Sequence, residues 1–336
     1  MNYSNFFSGG DYVCLPSKGH PRVILAVDSR SIAANSFDLY HPFSVKAKVY
    51  KFVVAWFSRL SLRFFKRCFS AVYEKKSGFI SWLEVVVGTP LISTVYVATD
   101  KNKVVLQLQD YDSEILGYLK FPLNIAGYEY VENEARAIDV LSDLGVVEKY
   151  LHKSSYEGAP FVLLKPLKGV MKRHSHETVL GVLSRLSKGR AFCLKDHPRF
   201  LSLYNKTVFQ GFREYSNMLD EICQCSNTRY ELVYEHGDFA PWNLIDVEGN
   251  CIPFDFECFV FDGLQYMDLI KYYFSIGKLL KKFTGERLFR FVRNKVNIDE
   301  FYGIFRIFLI KEIVESLGGS ESSVIEIELL NYGPKL

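Results

Sequence analysis

The sequence predicts an α+β fold in two lobes, and three observations carry that prediction. The chain's 336 residues are more than one ordinary core organises. Between residues 81 and 122 lie four segments rich in β-branched and aromatic residues, separated by turn chemistry. Beyond Val170 the patterning is mostly helical. Strands and helices segregated in this way specify α+β rather than an alternating α/β architecture.

The elements follow in order. Residues 1 to 45 are mixed: "LPSKGHPR" carries Pro and Gly turn signals and "RVILAVD" reads as a strand. "KAKVYKFVVAWFSRLSLRFFKRCFSAVYEKK" reads as one long helix, because Val53, Trp56, Phe57, Leu60, Phe64 and Cys68 recur at helical spacing. Lys51, Arg59, Arg63, Lys66 and Arg67 lie off the centre of that stripe, and no acid occurs between Asp38 and Glu74. Two readings of the segment stay open: a stripe docked on the protein core, or an interfacial helix on anionic lipid. "WLEVVVG", "STVYVAT", "KVVLQLQD" and "EILGYLKF" read as strands joined through "GTP", "TDKN" and "DYDS". The helix "YEYVENEARAIDVLSDLG" closes at Gly145, and "APFVLLKPLKG" adds a strand and a connector. "GGSESS" at 318 to 323 reads as a flexible break before a short tail. The expected divisions are an extension over 1–75 with the basic amphipathic helix, a strand lobe over 76–168 and a helical lobe over 169–336.

Composition narrows the function. A net charge of +3 is too small to imply nucleic-acid binding. The seven cysteines are irregularly spaced with no CxxC pair, which favours reduced thiols in a cytosolic compartment over a zinc site or a disulfide framework. Met1 to Val13 lacks signal-peptide character, and no run of about 18 apolar residues suggests a membrane span. Neither GxxxxGK[ST] nor GxGxxG occurs, so a P-loop or Rossmann nucleotide site has no support. His174 and His176 have no third ligand nearby in sequence and read as surface residues.

The chemistry concentrates in "YEHGDFAPWNLIDVEGNCIPFDFE", residues 234 to 257. "WNLID" and "NCIPFDF" read as a hairpin turning at 247–250, so Asn243 falls opposite residues 254 and 255. That register carries the Asn243 amide oxygen and the Asp255 carboxylate to one end of the hairpin. Hard oxygen donors gathered there suit Mg²⁺, which completes its octahedron with phosphate oxygens and water. Asp238, in the loop before the hairpin, could accept a proton from an attacking hydroxyl and orient it toward a phosphoryl group. His236 and Asp268 read as structural supports of this loop. Glu257 stays open between a supporting role and a metal contact, and Phe239 and Trp242 read as packing.

"HGDFAPWN", with the later "FDFE", resembles the catalytic loop of the aminoglycoside phosphotransferase and choline kinase-like group, relatives of the protein kinases. The family pattern H-G-D-x-x-x-x-N followed by I-D-x-[DE] runs here through His236, Gly237, Asp238, Asn243, Asp255 and Glu257. The resemblance implies a bilobal protein kinase-like fold, with Asp238 as catalytic base, Asn243 and Asp255 as metal ligands, and ATP with Mg²⁺ as cofactors. It also implies a strand lysine contacting phosphates and a helix glutamate paired with it, which makes 76–168 the nucleotide-binding lobe. Lys120 ends the strand "EILGYLK". Of Glu132 and Glu134, only Glu134 lies in the stripe of Ile138 and Leu141, and a buried acid requires a cation. The chain departs from the pattern in its glycine-poor "GTP" turn and in the short stretch from Asp255 to Asp268, which leaves no activation segment and excludes a protein kinase.

The expected activity is transfer of a phosphoryl group from ATP to a hydroxyl of a small molecule. Between Lys271 and Lys311 stand ten Lys or Arg residues against three acids, which disfavours a polycationic acceptor and favours a saccharide or glycolipid intermediate. The alternatives are a choline or ethanolamine kinase, or a catalytically retired kinase-like scaffold that binds nucleotide. The expected location is cytoplasmic, with peripheral membrane contact through 46–75 if the basic helix lies on lipid.

Overall fold

The computed structural model describes residues 3–17, 19–39, 45–98, 101–316, 323–330 and 332. The break expected at 318–323 falls, apart from Ser323, outside the described residues. The chain divides into two compact units, residues 1–138 with 148–166, and residues 139–147 with 167–336.

The first unit contains, in order, β1 (Gly10–Leu15), β2 (Val23–Ala26), α1 (Arg30–Ser36), α2 (Val45–Leu60), α3 (Leu62–Cys68), β3 (Val72–Glu74) and α4 (Gly78–Val87). There follow β4 (Ile92–Ala98), β5 (Lys103–Gln109), β6 (Ile115–Pro122), α5 (Ile125–Asp143, of which residues 139–143 belong to the second unit), β7 (His152–Tyr156) and β8 (Ala159–Leu164). All eight strands join one antiparallel sheet in the order β3-β1-β2-β4-β5-β6-β8-β7. Successive residues of a strand face opposite sides. Tyr12 and Ile24 accordingly join the core under α4, whereas Val13 and Leu25 join a second core with Phe37, Val54 and Phe65.

Three expectations change here. The first 75 residues, expected as an extension, supply β1, β2 and β3 to the sheet and belong to the same compact unit as the strands after them. "WLEVVVG", expected as a strand, lies in α4. The Ser77 hydroxyl accepts the N–H of Ile80 at 3.1 Å, Phe79, Ile80 and Leu83 are buried on one helical face, and Gly88 closes the helix at φ +78°. Those caps outweigh the β-branched bias of Val85, Val86 and Val87. The single long helix is two, α2 and α3, broken at Ser61, whose hydroxyl caps α3. Of its expected apolar stripe only Phe57 packs inward: Val53, Trp56, Leu60 and Phe64 are exposed, and the buried positions are Val54, Ser58 and Phe65.

The second unit runs through α6 (His176–Ser184), β9 (Ser187–Cys193), α7 (Pro198–Phe209), α8 (Arg213–Cys225) and β10 (Arg229–Glu235). It continues with β11 (Leu244–Val247), β12 (Asn250–Pro253), β13 (Val260–Leu264), α9 (Met267–Ser275), α10 (Gly285–Val296), α11 (Phe301–Ser316) and α12 (Val324–Leu330). The unit is mainly helical, and with the first it gives the α+β class that the segregated patterning predicted. It holds more strand than expected, since β9, β10 and β13 form an antiparallel sheet in the order β13-β10-β9 beside the β11-β12 hairpin. Helix α11 is apolar all round, with Ile304, Phe305, Ile307, Phe308, Leu309 and Ile310 buried, so it is a core helix and carries Lys311 into the interior. His174 and His176 are not surface residues: His174 is buried and His176 Nδ1 lies 2.7 Å from the Tyr273 hydroxyl. Cys68, Cys193, Cys223, Cys225 and Cys251 are free thiols, and no helix among the described residues is long and apolar enough to cross a membrane.

Candidate active site

Strand β10 delivers the chain to His236, and the loop beyond it is held from three sides. Gly237 has φ +81°, and a Cβ there would lie 2.0 Å from the Cys258 carbonyl oxygen, so only glycine fits. Asp268, in the first turn of α9, accepts the backbone N–H of His236 at 2.7 Å and of Gly237 at 3.1 Å. The buried His236 ring donates from Nε2 to the Phe254 carbonyl at 3.0 Å, while its Nδ1 accepts the Asp238 N–H at 3.4 Å. Burial lowers the imidazole pKa and keeps the ring neutral, which that donor and acceptor pair requires. His236 and Asp268 thus hold the loop, as the sequence led us to expect.

Asn243 is buried at the end of a short 3₁₀ turn, Pro241–Asn243. Its Nδ2 donates to the Asp238 backbone oxygen at 2.8 Å and to Asp238 Oδ2 at 3.0 Å. Both amide hydrogens are committed to Asp238, which fixes the amide orientation and turns Oδ1 away from that residue. The hairpin pairs Leu244 with Pro253 and Val247 with Asn250 around the two-residue turn Glu248-Gly249. The register extends one step further, where the Phe254 N–H donates to the Asn243 carbonyl at 3.0 Å. Asp255 follows directly, half-buried and held at φ +68°, a left-handed conformation that Asp tolerates better than most residues. The amide oxygen of Asn243 and the carboxylate of Asp255 are hard donors at adjoining positions, a set that fits Mg²⁺. Among the described residues no cluster of three His, Cys, Asp or Glu side chains forms a metal site.

Behind Asp238 lies a set of buried charges that sequence reading missed. Lys271 Nζ on α9 is 3.8 Å from Asp238 Oδ1 and 2.6 Å from Glu312 Oε2. Lys311 reaches Glu312 at 3.3 Å, Glu235 at 3.4 Å and Glu315 at 3.5 Å. Arg199 bridges Glu235 at 3.4 Å and Glu315 at 3.0 Å. Burial alone would raise the Glu312 carboxyl, but Lys271 and Lys311 outweigh it and hold the pKa at about 2. Burial alone would lower the Lys311 pKa, but Glu315, Glu312 and Glu235 carry it well above the usual lysine value. Burial, then the neighbouring Glu235, pushes Asp268 up to about 7 against the pull of two backbone N–H groups and Lys311. The one local signal was the spacing of Lys271, one helical turn after Asp268.

In the first unit the structure joins the two residues that the sequence singled out. Lys120 Nζ on β6 is 2.6 Å from Glu134 Oε1 on α5, and both side chains are buried, whereas Glu132 is exposed. Glu134 Oε2 is buried without a hydrogen-bond partner among the described residues. A buried ammonium fixed by a carboxylate is a cation of the kind that suits phosphate oxygens.

No protein-family model and no curated protein matches the sequence. Solved structures are similar in fold. The aminoglycoside phosphotransferase APH(3'')-Id of Streptomyces rimosus is 14% identical, over 72% of this chain and 98% of its own, with a TM-score of 0.46. The aminoglycoside phosphotransferase APH(4)-Ia, solved with ADP and hygromycin B, is 10% identical over 72% of this chain and 92% of its own, with a TM-score of 0.48. The ethanolamine kinase of Plasmodium vivax is 12% identical over 90% of this chain and 93% of its own, with a TM-score of 0.47.

Proposed function

We propose that this protein is an ATP- and Mg²⁺-dependent phosphotransferase of the aminoglycoside phosphotransferase and choline kinase-like family, acting on a hydroxyl of a small molecule. The observation that carries the reading is the double hydrogen bond from Asn243 Nδ2 to Asp238. It locks a carboxylate and an amide oxygen into distinct tasks five residues apart. Asp238 Oδ2 is held by Asn243, which leaves Oδ1 to accept the proton of the attacking hydroxyl and aim its oxygen at the phosphorus. Asn243 Oδ1 and the Asp255 carboxylate would hold Mg²⁺, and the ion, when bound, neutralises charge on the phosphates. Lys120, fixed by Glu134, would contact the phosphates of ATP, and Lys271 places a second cation beside the base.

The acceptor we favour is a saccharide or a glycolipid intermediate. Support comes from the cation excess between Lys271 and Lys311: Arg287, Arg290, Arg293 and Lys295 of α10 are exposed, a poor setting for a polycation. We place the reaction in the cytoplasm, with peripheral membrane contact through residues 46–75.

The test is ATP turnover with a panel of sugars, lipid-linked sugars, choline and ethanolamine, in parallel with nucleotide binding. Turnover should require Mg²⁺ or Mn²⁺ and vanish in Asp238→Asn while ATP binding persists. Turnover with choline or ethanolamine alone would replace the saccharide assignment. Metal-dependent ATP binding without turnover on any acceptor would make the chain a nucleotide-binding scaffold.

A further inference from the structure

Helix α2 is apolar on two opposite faces. One face packs Val54, Ser58 and the Phe57 ring toward α3 and the sheet, with Phe57 set against Phe65 at 6.0 Å and Phe69 at 6.5 Å between ring centroids. The other carries Val49, Phe52, Val53, Trp56 and Leu60, and on α3 the Phe64 ring is likewise exposed, edge-on to Phe57 at 5.5 Å. Phe52 is 71% exposed and Trp56 56%, and a soluble surface does not ordinarily gather six such side chains in one strip.

The chemistry of the margins says what covers it. Lys48 and Arg59 flank the strip on one side of α2 and Lys46 on the other, and Arg63 and Arg67 border it on α3. All five are exposed, and none is in an ion pair among the described residues. The acids nearby lie off the strip: Asp11 pairs with Lys66 at 2.7 Å, Asp28 accepts the Asp11 N–H, and the exposed Asp38 acts on Lys51, which is not part of the strip. An apolar strip bordered by unpaired cations, without acids among them, complements an anionic headgroup layer over hydrocarbon. A second copy of this face would instead bring like charges together.

The geometry points to a membrane-docking surface: α2 and α3 lie on an anionic bilayer with Phe52, Trp56, Leu60 and Phe64 in the hydrocarbon boundary and Lys48, Arg59, Arg63 and Arg67 on lipid phosphates. This deepens the membrane contact in the proposed function by naming its face, lipid charge and inserted residues, but the docking is read from the surface itself and needs neither ATP nor acceptor. The full chain, without nucleotide, should float with vesicles of phosphatidylglycerol and phosphatidylcholine in equal parts, and at least tenfold less with phosphatidylcholine alone. Binding should fall as added salt shortens the screening length to about 3 Å near 1 M. Phe52→Asp with Trp56→Asp should abolish flotation, and Arg59→Glu with Arg63→Glu should weaken it at least tenfold. Neither pair should shift the thermal midpoint, because all four side chains are exposed. In the wild-type chain, Trp56 fluorescence should be quenched by brominated lipid, and Trp56→Phe should lose that component. Absence of flotation, equal binding to neutral vesicles, or a solution dimer that Phe52→Asp with Trp56→Asp converts to monomer would overturn the assignment. Since no step uses catalysis, such a failure leaves the phosphotransferase reading standing, and an inactive enzyme leaves this one standing.

Discussion

The two units bury charge in opposite ways. In the first, Lys120 and Glu134 form a compact pair between one strand and one helix, with a carboxylate oxygen left over. In the second, Arg199, Lys271 and Lys311 share Glu235, Glu312, Glu315 and Asp238 in a continuous network from α7 to the loop that carries Asp238. A compact pair can present its cation to a ligand, whereas a network serves the fold and the placement of its exposed members. Those are Asp238 and Glu315, 39% and 41% exposed where Lys311 is 4%.

The sharpest way to break this contrast is Lys311→Met, which leaves Glu235, Glu312 and Glu315 with only Arg199 and Lys271 as counter-charges. It should cost about 3–5 kcal/mol of stability, read as a fall in the denaturant midpoint. An unchanged midpoint would mean that the network is ornamental. Lys120→Met should act on turnover as well as on the fold, losing about 3–4 kcal/mol of transition-state stabilisation and leaving Glu134 buried without its cation. Lys120→Met with Glu134→Leu should restore the fold without restoring the rate. Glu132→Ala should do nothing, and if it slows turnover more than Glu134→Ala, the pairing does not serve catalysis.

Glu312 makes the network visible to pH. Its pKa falls from an ordinary 4.5 to about 2, so the stability it contributes is full above pH 4.5 and is lost as pH falls toward 2. Glu312→Gln should therefore flatten the acid limb of a stability profile. Asp268 acts with the opposite sign: raised to about 7, it contributes most below about pH 4, and that contribution is lost as pH rises through 7. A profile of Glu312→Gln that keeps the wild-type acid slope would contradict the assigned pairing. The smallest effect belongs to Asp255→Asn, which preserves the left-handed backbone. Stability should stay within about 0.5 kcal/mol, while calorimetry should find ATP affinity no longer raised by Mg²⁺.

What could be read from the sequence divides along the same line. Asp238, Asn243 and Asp255 were legible because one loop and one hairpin fix their spacing. Lys120 and Glu134 were legible because strand and helix periodicity decides which side chain turns inward. Lys271, Glu312, Lys311 and Glu235 were not, because their partnership forms only when α9 and α11 pack together, and a lone lysine in "LIKEIV" carries no mark of burial. The same limit explains β9, β10 and β13, whose partners lie from 25 to 46 residues away in the registers observed. At α4 the error had another source: three consecutive valines were weighed above Ser77 and Gly88, the residues that set the ends.

Gly237 bears on how any mutational scan of this protein should be interpreted. A library randomised at that codon and selected for activity would return glycine almost alone, and the position would score beside Asp238 as indispensable. Yet it would offer substrate nothing but backbone, since its requirement comes from the Cys258 carbonyl filling the space of a side chain. Selecting the same library for folded protein, with no demand for turnover, separates the two residues: glycine should still be enriched at 237, while 238 should accept Asn and Ser.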